Sequence, residues 1–162
     1  MRIIVQRVRQ ASVTIDDVRT ASIECGLLCL VGFGAHDGAT LPTQPLWQGM
    51  IDKLLNLRIF PEENAPDKMN CSVLDIQGGV LLVPQFTLYA NCQKGRRPAF
   101  QDAAPPDIAR ELFARFVRDV DARLTHPVSS GTFGALMYVN LCNWGPVTIT
   151  LDSDTLFAQR PS

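Results

Sequence analysis

The chain has 162 residues, a net charge of −1, 46% hydrophobic residues and 19% charged residues. These values predict one domain with a sizeable buried core. They exclude a protein that grips long nucleic acid through many phosphates, since there is no global basic field; a nucleic acid held by one end is not excluded.

Residues 3–8 are β-branched and bounded by Arg7 and Arg9, which predicts the first strand. Residues 11–15 alternate polar and apolar, Asp16-Asp17 marks a turn, and residues 19–24 return, which predicts a hairpin. Residues 27–33 form a continuous apolar run, the pattern of a central strand. The following Gly32, Gly34 and Gly38 match no phosphate-cradling motif. From Gln44 the period changes: Trp47, Met50, Ile51, Leu54, Leu55 and Leu57 fall at helical spacing, with Pro42 and Pro45 near the start. Residues 58–60 are predicted extended and 61–68 a polar loop.

Residues 72–76 and 80–83 flank Gln77-Gly78-Gly79 and predict a second hairpin. Its outgoing arm runs into Pro84, which has no N–H for a sheet ladder, so the strand should end, bulge or lie at an edge there. Residues 91–106 lack apolar periodicity and carry Lys94, Arg96 and Arg97. They read either as a solvated loop or as a local basic patch for a few phosphates. Residues 107–124 predict the clearest helix, with Asp107 as N-cap and Leu112, Phe113, Phe116 and Val120 on one face. Residues 133–141 alternate as a half-buried strand, Asn143-Trp144-Gly145-Pro146 interrupts, and 147–151 form the last strand before a tail from about 153 to 162. Seven or eight strands joined mainly by hairpins, with two main helices, predict a compact antiparallel, barrel-like α+β domain over residues 1–162.

The five cysteines include no Cys-x-x-Cys pair and lie mostly in apolar or strand-like runs, so they read as reduced and buried. His36 and His126 stand apart in loop-like sequence, so no metal constellation is visible and no cofactor is expected. The charged N-terminus carries no signal-peptide pattern, and no apolar run reaches the length of a membrane span. A cytoplasmic protein is the expectation.

The standard hydrolase motifs are absent: no Gly-x-Ser-x-Gly, no His-Glu-x-x-His, no convincing pair of carboxylates. Two breaks in strands remain. At Pro84-Gln85-Phe86-Thr87 a strand stops and presents main-chain N–H groups beside a hydroxyl. At Gly145-Pro146 a turn with almost no side chain exposes carbonyl oxygens. On pattern alone the first reads more readily as a strand with a proline bulge, and the second equally as a plain turn.

At these residues the chain resembles the D-aminoacyl-tRNA deacylase family, nearly end to end. The matching pieces are Gln6-Arg7-Val8 with Ala11-Ser12-Val13, Gly26-Leu27-Leu28, Arg58-Ile59-Phe60, Lys68-Met69-Asn70, Gln85-Phe86-Thr87-Leu88 and Arg97-Pro98-Ala99-Phe100. Gly131-Thr132-Phe133-Gly134-Ala135 with Met137, and Asn143 followed by Gly145-Pro146-Val147-Thr148, complete them. Each is weakly specific; their order and spacing are highly specific.

The resemblance implies a homodimer that hydrolyses the ester joining a D-amino acid, or glycine, to the terminal adenosine of tRNA, without a metal. It implies that Gly145-Pro146 is cis, enters the partner's active site and rejects L-side chains there. It places Gln85, Phe86 and Thr87 at the catalytic centre. Main-chain N–H groups near Phe86 and Thr87 would stabilise an oxyanion, Met137 would pack on the adenine, and Arg96 and Arg97 would meet acceptor-stem phosphates. Thr87 is read as positioning rather than nucleophilic, the competing role. Pro84 stands where the family motif has Ser, and Trp144 where a small or acidic residue is common. Pro84 also brings in a related branch, with a trans Gly-Pro bond, that removes L-alanine from mischarged threonine tRNA. A module that binds tRNA ends without hydrolysis is the alternative from another class.

Overall fold

The computed structural model describes residues 1–158. The order is β1 (Arg2–Ile15), β2 (Val18–Ile23), β3 (Gly26–Gly32), α1 (Pro45–Asn56), β4 (Phe60–Glu62), β5 (Ala65–Cys71), β6 (Gly79–Pro84), α2 (Pro106–Asp121), β7 (Ser129–Ser130), β8 (Tyr138–Asp152) and α3 (Ser153–Leu156). Strand β1 is the spine. Its first half pairs with β3 and its second half with β2 on the same edge, while β8 runs antiparallel along the other edge. Beyond β3 come β6 and β7. The Ser129 hydroxyl donates to the Ser22 carbonyl of β2 (2.9 Å), which nearly closes the ring. The expected α+β, barrel-like class is found.

Alternation along the central strands builds two cores. Leu27, Cys29 and Val31 of β3, with Val80 and Leu82 of β6, join Trp47, Leu54 and Phe116 of the helices in the larger one. The intervening Leu28, Leu81 and Val83 join Val8, Ala11, Val13 and Ile23 in the smaller one. A strand with both faces covered has no polar face, hence the unbroken apolar runs. Trp47 is fully buried, stacked on Phe33, edge-on to Phe116, and its indole N–H donates to Asp119 (2.8 Å).

Several expectations are corrected. The sheet is mixed, because β3–β6 and β6–β7 are parallel. Residues 72–76 form no strand: Asp75 accepts from the Ser72 amide and hydroxyl (both 2.7 Å), closing a local turn. Those two bonds from Ser72 also hold the Asp75 carboxyl below its ordinary range. Within the predicted polar loop 61–68, the chain forms the β4–β5 hairpin. Residues 133–137 are irregular, and one strand, β8, replaces the two expected around residues 143–146. Likewise β1 is one strand where two were expected.

In α2 the N-cap is Pro105, and Asp107 lies in the first turn without a capping bond, where its charge still suits the helix dipole. The expected tail starts as α3; residues 159–162 lie outside the described residues. The five cysteines are free thiols, but Cys92 and Cys142 are exposed.

The ends of β1 and β8 meet at Arg2 and Asp152. Arg2 Nε donates to Asp152 (2.8 Å), Nη1 donates to the Leu88 carbonyl (2.7 Å), and the guanidinium lies over Tyr89 (4.7 Å). Burial pushes the Asp152 carboxyl up, but Arg2, the Asp154 amide and the chain's N-terminal ammonium together hold it below its ordinary value. A depressed carboxylate stabilises the fold fully above its unfolded pKa of about 4 and loses that contribution as pH falls through the folded value. Asp152→Asn should therefore flatten the acid limb of the stability curve below about pH 4. Thermal melts of both proteins across that range check it; equal acid sensitivity would remove Asp152 from the account.

Candidate active site

The end of β6 is set by its parallel pairing with β3, which brings Pro84 opposite Val31. Pro84 cannot donate, and the next amide, Gln85, makes the last link, to the Val31 carbonyl (2.8 Å). The chain then leaves the sheet and tightens into a 3-10 turn, Phe86–Tyr89. The first N–H groups of such a turn have no acceptor inside it. Among the described residues, those of Phe86 and Thr87 donate to no other group. The Gln85 side-chain amide donates to the Thr87 hydroxyl, which among the described residues has no carboxylate or imidazole partner. Among the described residues no base is placed to take a proton from Thr87. Arg2, through the Leu88 carbonyl, ties down the far end of the turn.

Phe86 is 52% exposed, unusual for a large apolar ring, and sits edge-on to Phe100 (5.0 Å). The two rings help line an apolar cavity of about 460 Å³, with Pro84, Ala103, Ala104 and Phe133 among its other walls. That volume suits a flat heteroaromatic base. Gln85 and Thr87 are not among its walls. Met137 is close by: its sulfur and the Pro84 ring both crowd the hydrogen face of Gly131, at 2.8 and 3.3 Å from where a Cβ would sit.

Arg96 and Arg97 stand exposed on a loop closed by mutual backbone bonds between Asn91 and Ala99. That loop leads directly into Phe100, so its charge is carried beside the aromatic wall. Among the described residues neither arginine makes an ion pair. No three metal-ligating side chains converge among the described residues, and no helix there is long and apolar enough to cross a membrane.

Gly145-Pro146 is elsewhere. The bond is cis, both residues are exposed, and they sit where β8 slips register against β1, between the pairs Gln6–Thr148 and Val8–Asn143. This is level with Leu27 of β3, four residues from Val31, and three strands away from β6. At about 3.3 Å per residue and about 4.8 Å per strand, turn and Phe86–Thr87 lie roughly 20 Å apart in one chain. The sequence-predicted residues thus fall into two groups. Gln85, Phe86, Thr87, Met137, Arg96 and Arg97 cluster at one end, and Gly145 and Pro146 stand alone at the other.

Beneath that turn lies Arg7, only 7% exposed. Its Nε donates to the Trp144 carbonyl (2.8 Å), and Nη1 donates to the Ile59 carbonyl. Desolvation, then the nearby Arg9 charge, lower its pKa from the ordinary arginine value. Gly145, at φ +131°, has no room for a side chain: a Cβ would lie 2.7 Å from Arg7 Nη2 and 2.9 Å from Val147. Arg7 was not among the predicted site residues. The signal existed, because Ile3, Val5 and Arg7 share the inward face of β1 by period two. Phe100, Ala104 and Phe133 were also missed as cavity walls, since no sequence pattern joins three loops around one space.

Comparison with known proteins gives the family and the fold. The family model described as D-Tyr-tRNA(Tyr) deacylase matches residues 4–152. A D-aminoacyl-tRNA deacylase of Nitratidesulfovibrio vulgaris is 57% identical, over 98% of this chain and 97% of its own. One of Thermosipho africanus is 45% identical, over 97% and 100%. Among solved structures, one described as "c-Myc DNA Unwinding Element Binding Protein" superposes with a TM-score of 0.84 at 36% identity, covering 94% of this chain and 98% of that one. A probable eukaryotic D-amino acid tRNA deacylase shares the fold, with a TM-score of 0.76 at 22% identity, over 93% and 97%. With the match running nearly end to end and taking in both strand breaks, this chain belongs to the D-Tyr-tRNA(Tyr) deacylase family.

Proposed function

We propose that this protein hydrolyses the ester of D-aminoacyl-tRNA, and of glycyl-tRNA, to free amino acid and tRNA, a proofreading step in the cytoplasm. The observation that carries the reading is the pair of undonated amides at Phe86 and Thr87, next to an apolar aromatic cavity and, among the described residues, with no carboxylate or imidazole bonded to the Thr87 hydroxyl. An aminoacyl ester needs little more. Water attacks the carbonyl carbon, negative charge gathers on the carbonyl oxygen, and two fixed N–H groups are suited to receive it. The bond to the ribose 3′-oxygen then breaks and that oxygen takes a proton. The neighbouring ribose 2′-OH can assist the water, so the site requires no histidine or carboxylate.

The terminal adenine fits the cavity of Phe86, Phe100 and Phe133, with Met137 beside it. Arg96 and Arg97 are free to meet phosphates of the 3′ end, a small cluster consistent with binding only one end of the RNA. Chirality is selected by Gly145-Pro146 of a second copy in a homodimer. The separation of the two groups within one chain supports this. A carbonyl-lined turn would clash with an L-side chain and leave room for hydrogen.

Release of D-Tyr from charged tRNA, with and without a chelator, tests the reaction. Binding without release would sink it in favour of a tRNA-end module. Preferential release of L-Ala from threonine tRNA would move the protein to the relaxed branch that Pro84 brings in. Thr87→Ala should keep turnover within about tenfold of the parent, because losing a true nucleophile or base costs about 10²–10⁴-fold or more. A loss in that larger range in single-turnover assays would restore Thr87 as nucleophile.

A further inference from the structure

The Gly145-Pro146 turn is exposed, yet both of its flanks are fastened. On the far side Val147 is buried, its amide donates to the Asn143 side chain (3.0 Å), and Asn143 Nδ2 donates to the Thr148 hydroxyl (3.0 Å). On the near side stands Trp144, half-buried against Phe60 (ring centroids 6.3 Å). Two guanidiniums lie over its ring, Arg9 at 3.5 Å and Arg7 at 4.5 Å from the centroid. Arg7 also holds the Trp144 carbonyl. One residue is therefore gripped by ring and by backbone, immediately before the turn.

We infer that Trp144 is a positioning residue for chiral selection: its ring, held by Arg7 and Arg9, fixes the direction in which the Gly145-Pro146 carbonyls point. The inference rests on the role proposed above for that turn. Glycine and proline offer no side chain to anchor, so the turn's orientation must come from its neighbours. The attraction between a cation and an indole face depends on the ring's quadrupole and not on its bulk. Arg7 and Arg9 repel each other; burial first, and then the Arg9 charge, lower the Arg7 pKa. The indole face that both guanidiniums approach offsets that repulsion and holds the exposed Arg9 in place. A residue that merely filled the Phe60 side would be replaceable by any apolar group of similar size.

The test measures kcat/KM for D-Tyr-tRNA and L-Tyr-tRNA in the full-length protein carrying Trp144→Leu, Trp144→Phe or Arg9→Gln, with Gly145→Val as reference. Loss of two cation–ring contacts should lower the D-over-L ratio about tenfold in the Leu variant, whereas Phe should stay within about threefold of the parent. Arg9→Gln should move the ratio in the same direction as Leu. Should the Leu variant fail to fold, Arg9→Gln decides alone. A parent-like ratio in the variants that fold, beside a Gly145→Val protein that has lost selectivity, overturns the role of Trp144. So does a slower enzyme with its ratio intact, the mark of a packing residue only. If Gly145→Val itself keeps the ratio, the reading of the turn fails, and the role of Trp144 with it.

Discussion

Gly145→Val is expected to lower deacylation of D-Tyr-tRNA by about 100-fold, because a displaced turn would intrude on the partner's site and shift even a D-substrate by an ångström or so. At φ +131° any Cβ on this residue falls within 3 Å of Arg7 and Val147, so valine must displace the turn. The turn is exposed and its flanks are held independently, so the fold should survive. The informative version mixes two inactive proteins. Ala103 lines the cavity proposed for adenine, and Ala103→Trp fills it. A heterodimer of Gly145→Val with Ala103→Trp contains one intact cavity facing one intact turn. Random mixing makes half the dimers mixed, each with one good site, so about a quarter of parental activity should return. A mixture as inactive as its parts would mean that each site is complete within one chain.

The second large effect is on stability. At Gly26, the first residue of β3, an added Cβ would lie 1.9 Å from the Gly79 carbonyl oxygen, a backbone atom with nowhere to move. Gly26→Ala should therefore destabilise by about 3 kcal/mol or more, at the upper end of overpacking. For a domain of this size that is a fall of roughly 6–12 °C in melting temperature. Because β3 and β6 together bring Pro84 to Val31, activity should fall in the same variant below its melting point. Gly38→Ala is the control, since a Cβ there meets nothing within 4 Å. Equal melting temperatures for the two variants would contradict the close packing of β3 on β6.

That contact also explains where sequence reading failed. Gln77-Gly78-Gly79 looks like a hairpin turn, and the apolar run after it like a returning arm. Gly79 is glycine for another reason: a Cβ there would lie 2.9 Å from the Ile23 side chain, and its amide donates to the Cys25 carbonyl (3.0 Å) as β6 enters the sheet beside β3. A buried run reports that both faces are covered, not which strand is its neighbour, so the parallel partner was invisible. The helices were legible because Trp47, Leu54, Phe113 and Phe116 recur at helical spacing and pack inward.

The site was half legible. Pro84 announced the break at the end of β6, and the family motif marked Gln85 to Thr87. The cavity walls were not, because Phe100 and Phe133 reach it from separate loops. Arg7 was overlooked because an arginine in a strand normally reads as solvent-facing, although its neighbours two and four residues back are core.

The distance of roughly 20 Å between the turn and the amides has a consequence for how the protein works when scarce. A catalyst assembled from two copies obeys mass action. Its specific activity should hold at high concentration and decline on dilution through the dimer dissociation constant. Proofreading capacity would then scale more steeply than linearly with expression level at low abundance. At abundances near or below that constant, a cell that halves the amount of this protein would lose more than half of its protection.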